Sequence, residues 1–295
     1  MNSTDRKVVL ITGASAGIGA ALAREVARQG RNLALTARRG DRLESLAREL
    51  RPLGIDVLAV PADLEDQKAP EAIVGRTVEH FGGIDVLINY AGFGLPMVFA
   101  EADPLDLRRQ LEVNFVAPLL LAREAIPHLI ARKGTIINIG SAITSVANSA
   151  LGAYGATKAG LAYWNDALRR ELRHRGVKVC LVEPGPVKTE FFDALMTFAP
   201  AGGQYNPLLD APLPWMTADV TDVACRIARL IDRPVRRLSV RRRVVWPFRM
   251  MGGLFRVWPW LGDVALSSVI YHFDRAGDLK RARNARSLGD ARPTD

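Results

Sequence analysis

Tyr154 and Lys158 lie four residues apart in AYGATKAG. On a helix that spacing stacks the two side chains on one face. Ser141 comes earlier, at the end of the apolar run IINIG. A phenol, an ammonium and a hydroxyl suit one kind of step, in which a ketone oxygen takes a proton while its carbon takes a hydride. A phenol of ordinary pKa donates poorly, and its driving force improves as that pKa falls. Lys158 and an oxidised, cationic nicotinamide would both favour the phenolate and move Tyr154 toward neutrality. Ser141 would hold the reacting oxygen by hydrogen bonding. In the oxidising direction Tyr154 would be the base. Alone, the Tyr–Lys spacing is a weak signal, since each residue could be an ordinary surface polar group.

A hydride needs a carrier, and the N-terminus offers a place for one. Gly13, Gly17 and Gly19 stand in TGASAGIG between an apolar run and a helical pattern. Glycines let the chain turn sharply and approach a pyrophosphate, and the following helix N-terminus presents unpaired N–H groups. A tight strand–helix turn without a ligand is the plainer alternative. After the second strand, an acid would bond the adenosine ribose hydroxyls and repel a 2′-phosphate. Here Ala37 takes that place, and Arg38 and Arg39 follow. A guanidinium can fork onto a phosphate, which favours NADP(H) over NAD. Arg38 is the expected contact, with Arg39 behind it; a merely solvated arginine is the alternative.

Elements that position these residues alternate along the chain. Strands are expected at Val8–Thr12, Leu33–Thr36, Asp56–Val60, Asp85–Asn89, Thr135–Gly140 and Val177–Glu183. Helices are expected after the glycine turn and over Arg42–Leu50, Ala72–His80, Pro104–Arg132, Ala153–Arg175 and Asp219–Ile231. Arg237–Val245 reads as an edge strand. This order predicts an α/β fold: a Rossmann-like, doubly wound parallel sheet in three α/β/α layers. Residues 1–235 form the dinucleotide-binding catalytic domain in this reading, and 236–295 a C-terminal extension.

Together these motifs resemble the short-chain dehydrogenase/reductase family, in an NADP-preferring form with a C-terminal extension. The match covers roughly residues 5–235. Thr12–Gly19 is similar to the family's cofactor turn, which implies contacts from Gly13, Ser15, Gly17, Ile18 and Gly19. Asp63 in PADLED resembles the acid that meets the adenine. Asn89-Tyr90-Ala91-Gly92 is similar to the family's NNAG motif, which steadies the sheet and implies Asn89, Ala91 and Gly92 near the cofactor; Tyr90 replaces the second Asn, beside rather than in the chemistry. Asn114 matches the family's catalytic asparagine, whose helix distortion holds a water for a lysine proton relay. Ser141, Tyr154 and Lys158 complete that tetrad, and Tyr154 and Lys158 also meet the cofactor. Pro184–Thr189 resembles PGxxxT, placing Val187 and Thr189 at the nicotinamide end.

Composition narrows the function classes. Among 295 residues, 48% are hydrophobic and 24% charged, which fits a globular chain with ample core material. Two cysteines, Cys180 and Cys225, make no disulfide framework, and four scattered histidines suggest no metal site. The expected setting is reducing and cytoplasmic. No secretory signal is evident, and no apolar run is long enough to span a bilayer. Of the net charge of +9, residues 1–235 carry +1 and residues 236–295 carry +8. Nucleic-acid binding is disfavoured, because no recognised module accompanies the charge. Arginines and tryptophans interleave from Arg236 to Trp260. That segment either lies on an anionic membrane surface or packs back on the fold. Residues 191–217, rich in Pro, Gly, Phe and Met, read as an excursion covering the active site. Phe191, Phe192, Leu195 and Met196 either meet an apolar substrate or pack the excursion's own core.

The expected function is therefore NADP(H)-dependent interconversion of a lipophilic ketone and a secondary alcohol, by a homo-oligomer built on the two long helices. A non-catalytic nucleotide sensor or scaffold, and a membrane-peripheral lipid ketone reductase, are the alternatives.

Overall fold

The computed structural model of the protein describes residues 6–95, 99, 102–147, 151–187, 189, 217–240 and 242–263. Seven strands form one sheet, all parallel, in the order β3-β2-β1-β4-β5-β6-β7. They are β1 Val8–Thr12, β2 Asn32–Ala37, β3 Val57–Pro61, β4 Val86–Asn89, β5 Thr135–Ile139, β6 Lys178–Glu183 and β7 Arg237–Ser239. Successive side chains point to opposite faces of a strand. Val9 and Ile11 therefore enter one core, with Ile88, Ile137 and Val182. Leu10 enters the other, with Leu87, Ile136 and Val179. Near-continuous apolar strands are what a sheet covered on both faces requires.

The covering helices follow from their apolar stripes. α1 (Gly17–Arg28), α2 (Gly40–Leu50) and α7 (Val220–Arg229) bury Leu22, Leu43 and Ile227 in the first core. α3 (Ala69–Phe81), α5 (Ala117–Arg132) and α6 (Gly152–Leu172) bury Ile73, Leu121 and Leu168 in the second. Each such side chain contributes about 1.5–3 kcal/mol. Asp219 caps α7, its carboxylate accepting from Thr221 and Asp222 N–H, and those bonds hold its pKa below the usual range.

Two expected elements need correction. Pro104–Arg132 is not one regular helix: α4 (Pro104–Leu111) passes through a π-helical segment, Glu112–Val116, into α5. This run is long and apolar enough to cross a membrane, yet Leu121, Ala125 and Leu129 are fully buried against the sheet. It is a core helix. The expected edge strand Arg237–Val245 stops at Ser239, and α8 occupies Arg242–Val257. Val245 is buried, and a Cβ at Gly252 would fall 1.6 Å from the Ser145 carbonyl oxygen. Tertiary packing thus overrides the β-like run of valines and arginines. The excursion lies outside the described residues apart from Thr217, and so does the tail beyond 263.

Candidate active site

β2 and β3 leave β1 on one side and β4 on the other. That reversal opens a crevice at the carboxyl ends of β1 and β4, where doubly wound sheets take their ligands. Thr12 closes its floor. The Thr12 hydroxyl oxygen accepts from both Tyr90 N–H and Ala91 N–H at 3.0 Å, tying the end of β1 to the turn after β4. Sequence reading had quoted Thr12 within the motif and given it no role.

The glycine turn has the shape expected of it. Gly13 and Gly17 have φ of +70° and +54°, in the left-handed region that favours glycine. A Cβ at Gly19 would lie 2.3 Å from the Gly13 carbonyl oxygen. α1 begins at Ala16 with no side-chain cap and no acid in its first turn, so its positive end suits an anion. Tyr90 packs into this turn. Its ring lies against Gly13 and Gly19, and its hydroxyl is bonded to the Ile18 backbone and sits by Gly17 and Thr189. Burial pushes its pKa up. The departure from the family pattern thus falls inside the candidate cofactor cradle.

Both arginines after β2 flank the cradle. Arg39 donates to the Ser15 hydroxyl at 3.2 Å, whereas Arg38 faces Glu65 at 3.5 Å. Asp63 is exposed and accepts from Glu65 N–H. Asn89 departs from expectation: its side chain is buried in the sheet, donating to Asn138 at 2.9 Å, and Asn138 donates in turn to Asn165 on α6 at 3.0 Å. This ladder braces β4, β5 and α6, so the Asn89 side chain is not a crevice group. Val187 bridges to Ala218, and the Thr189 hydroxyl donates to the Val187 carbonyl.

The tetrad converges at the ends of β4 and β5. Tyr154, Lys158, Leu161, Asn165, Leu168 and Leu172 form one buried stripe of α6, polar where it meets the crevice and apolar below. Ser141 caps the 3-10 turn Ala142–Ser145, its hydroxyl accepting from Ile143 N–H at 3.3 Å. The hydroxyls of Ser141 and Tyr154 are hydrogen-bonded. Lys158 Nζ donates to the Ile139 carbonyl at 2.9 Å and stands 5.9 Å from the centre of the Tyr154 ring. Asn114, fully buried in the π segment, clamps Phe93 by accepting from its N–H and donating to its carbonyl. It also donates to Thr157, whose hydroxyl holds the Tyr154 carbonyl. A Cβ at Gly92 would meet Asn114 Oδ1 at 2.9 Å and Lys158 Nζ at 3.5 Å, so the three crowd one spot.

Burial dominates the electrostatics of the Tyr154–Lys158 pair. Burial pushes Tyr154 up to about 12, only partly opposed by the Ser141 bond. Burial also pulls Lys158 down to about 8. Lys158 alone does not move the phenol toward neutrality. The pair is a buried proton donor beside a cation that has no carboxylate partner among the described residues, a setting that strengthens any further charge brought next to it.

Known proteins carry the same framework. The short chain dehydrogenase family model matches residues 7–198. A plant relative, 11-beta-hydroxysteroid dehydrogenase-like 2 of Arabidopsis thaliana, is 39% identical over 186 residues, 62% of this chain and 60% of its own length. The chain thus spans less than two thirds of that relative. A short-chain dehydrogenase from Sphingobium yanoikuyae, solved with NADPH, has 30% identity and a TM-score of 0.71 over 85% of this chain and 94% of its own. A Burkholderia cenocepacia short chain dehydrogenase, solved with NADP, has 29% identity and a TM-score of 0.68 over 81% and 97%. With its glycine turn, parallel sheet and Asn–Ser–Tyr–Lys cluster, the chain belongs to the short-chain dehydrogenase family.

Proposed function

We propose that this protein is an NADP(H)-dependent oxidoreductase that interconverts a ketone and a secondary alcohol on a lipophilic substrate. The observation that carries this reading is the hydrogen-bonded Ser141–Tyr154 pair, with Lys158 beside it, at the strand ends that also hold the glycine turn. The cradle fits a dinucleotide, because Gly13 and Gly17 take the left-handed turn that brings the uncapped, acid-free N-terminus of α1 to the strand ends. Gly13, Ser15, Gly17, Ile18 and Gly19 would hold the pyrophosphate side, and Arg38 and Arg39 the 2′-phosphate. Asp63 would meet the adenine, Ala91 and Gly92 would line the middle, and Val187 and Thr189 the nicotinamide end. When bound, the cofactor supplies or accepts the hydride. Two NADP-bound structural neighbours support that choice of nucleotide.

The chain's own groups handle the proton. Ser141 holds the substrate oxygen, and Tyr154 donates to it in reduction or takes the proton in oxidation. Lys158 holds positive charge beside the phenolate. Asn114 fixes Phe93 and Thr157, and through Thr157 the backbone of Tyr154. We read the active protein as a cytoplasmic homo-oligomer. Exposed Leu105, Leu111 and Tyr163 on α4 and α6 support assembly through those helices.

The test is a panel of apolar ketones and alcohols with NADPH or NADP⁺, followed by nicotinamide absorbance, for the parent and Tyr154→Phe. Turnover should fall by roughly 10²–10⁴-fold while NADPH still binds. Equal turnover in both proteins, or none in the parent with any carbonyl, would favour a nucleotide sensor. Arg38→Asp and Arg39→Asp should each weaken NADPH more than NADH.

A further inference from the structure

The helix α8 is fastened to the active-site rim from below. Glu183, at the end of β6, is only 2% exposed. Its carboxylate accepts from Arg237 at 3.2 Å, Ser239 at 3.2 Å and Arg249 of α8 at 2.7 Å. A buried carboxylate is tolerated where its oxygens are fully paired in this way. Three residues further along α8, Gly252 packs on the Ser145 carbonyl, at the end of the turn that Ser141 caps. One side of α8 is thus fixed beside the tetrad.

The opposite side has no partner among the described residues. Trp246, Met250, Leu254 and Val257 recur at spacings of four and three, which places them on one stripe of the helix. Trp246 is 58% exposed, Met250 57% and Val257 66%, and the chain continues into Trp258 and Trp260, 51% and 61% exposed. Isolated exposed apolar residues are ordinary, whereas a contiguous set is a docking surface. Between Arg236 and Gly262 there are seven arginines and no acid.

We propose that this face of α8 and the turn after it dock on an anionic bilayer surface. Tryptophan rings and aliphatic side chains suit the boundary between headgroups and acyl chains. Arg236 is matched by Asp166, and Arg237 and Arg249 by Glu183, so the charge left for anionic headgroups is that of the segment's other four arginines, exposed Arg256 among them. A symmetric contact with a second copy would instead set two segments of net positive sequence charge against each other. The clamp then holds the rim beside Ser141 against the helix that meets the lipid. This proposal stands apart from the reaction chemistry and is tested without turnover.

The full chain is mixed with phosphatidylcholine vesicles, or with vesicles that also contain phosphatidylserine. Co-sedimentation, tryptophan emission and quenching by brominated acyl chains are then read. Binding to the anionic vesicles is expected to exceed that to neutral ones by roughly tenfold or more, and to fall as salt rises. Emission should shift to shorter wavelength and be quenched. The double variant Trp258→Glu with Trp260→Glu should lose binding by roughly tenfold or more with an unchanged thermal melt. Where that variant melts early, the single variant Met250→Glu is read instead. No sedimentation and no quenching in the parent overturns the proposal. So does binding unchanged by these substitutions, or a concentration-dependent dimer in the ultracentrifuge that they abolish.

Discussion

Two buried ionic groups sit at the ends of the neighbouring strands β5 and β6, and they are treated in opposite ways. Glu183, at the end of β6, is surrounded by donors from β7 and α8. Lys158, packed under the end of β5, has a single carbonyl partner there and a phenol ring beside it. The first arrangement satisfies a charge to fix structure. The second leaves a charge under-compensated, which is costly for stability and useful for moving a proton. A parallel sheet thus holds its reactive end and its fastening point side by side.

The largest effect expected from breaking this contrast is at the lysine. Lys158→Met should cut turnover by roughly 10²–10⁴-fold. It should also raise stability at neutral pH, by up to about 3 kcal/mol, because burial lowers Lys158 from 10.5 to about 8 and the folded state resists its charge. The sign is specific. Between pH 8 and 10.5 the unfolded chain binds the extra proton, so the parent gains stability from this group as pH rises through that window. Urea titrations across those pH values should show a rise in the parent that the variant lacks.

At Glu183 the sign should be the reverse. Glu183→Ala leaves Arg249 without its carboxylate and Arg237 with Asp166 alone, and should cost about 1.5–3 kcal/mol in urea unfolding, with freer proteolysis of α8. Asn138→Ala removes the central rung of the asparagine ladder and should cost about 1–3 kcal/mol by the same measurement, with little salt dependence. The smallest effect is expected at Tyr90. Tyr90→Phe removes a hydroxyl bonded at Ile18 and should change NADPH affinity by a few-fold, about 0.5–1.5 kcal/mol, in a fluorescence titration.

Much of the reactive region was legible because its signals are local. The glycine turn, the helix that follows it and the Tyr–Lys spacing lie within short stretches, and periodicity located six of the seven strands to within a residue or two. The region around α8 was less legible because its determinants are distant. Val240–Val245 looks extended by composition, but the residues that make Arg242–Val257 helical are its partners, and Glu183 precedes Arg249 by 66 residues. The asparagine ladder was hidden for the same reason, since Asn89, Asn138 and Asn165 meet only when β4, β5 and α6 assemble. Tyr90 was misjudged by reading a motif position without its reach: an asparagine there is short, whereas a tyrosine spans the turn. The π segment at Asn114 has no mark in apolar spacing, and only the family resemblance pointed to a distortion there.

β7 is three residues long and closes one border of the sheet, with Arg237 and Ser239 tied back to Glu183. A border so short and so charged offers little template for a neighbouring molecule's backbone. Cutting the chain before Arg237 would remove that guard and leave β6, apolar along most of its length, as the open margin. Fibrillar or amorphous self-association would then compete with refolding.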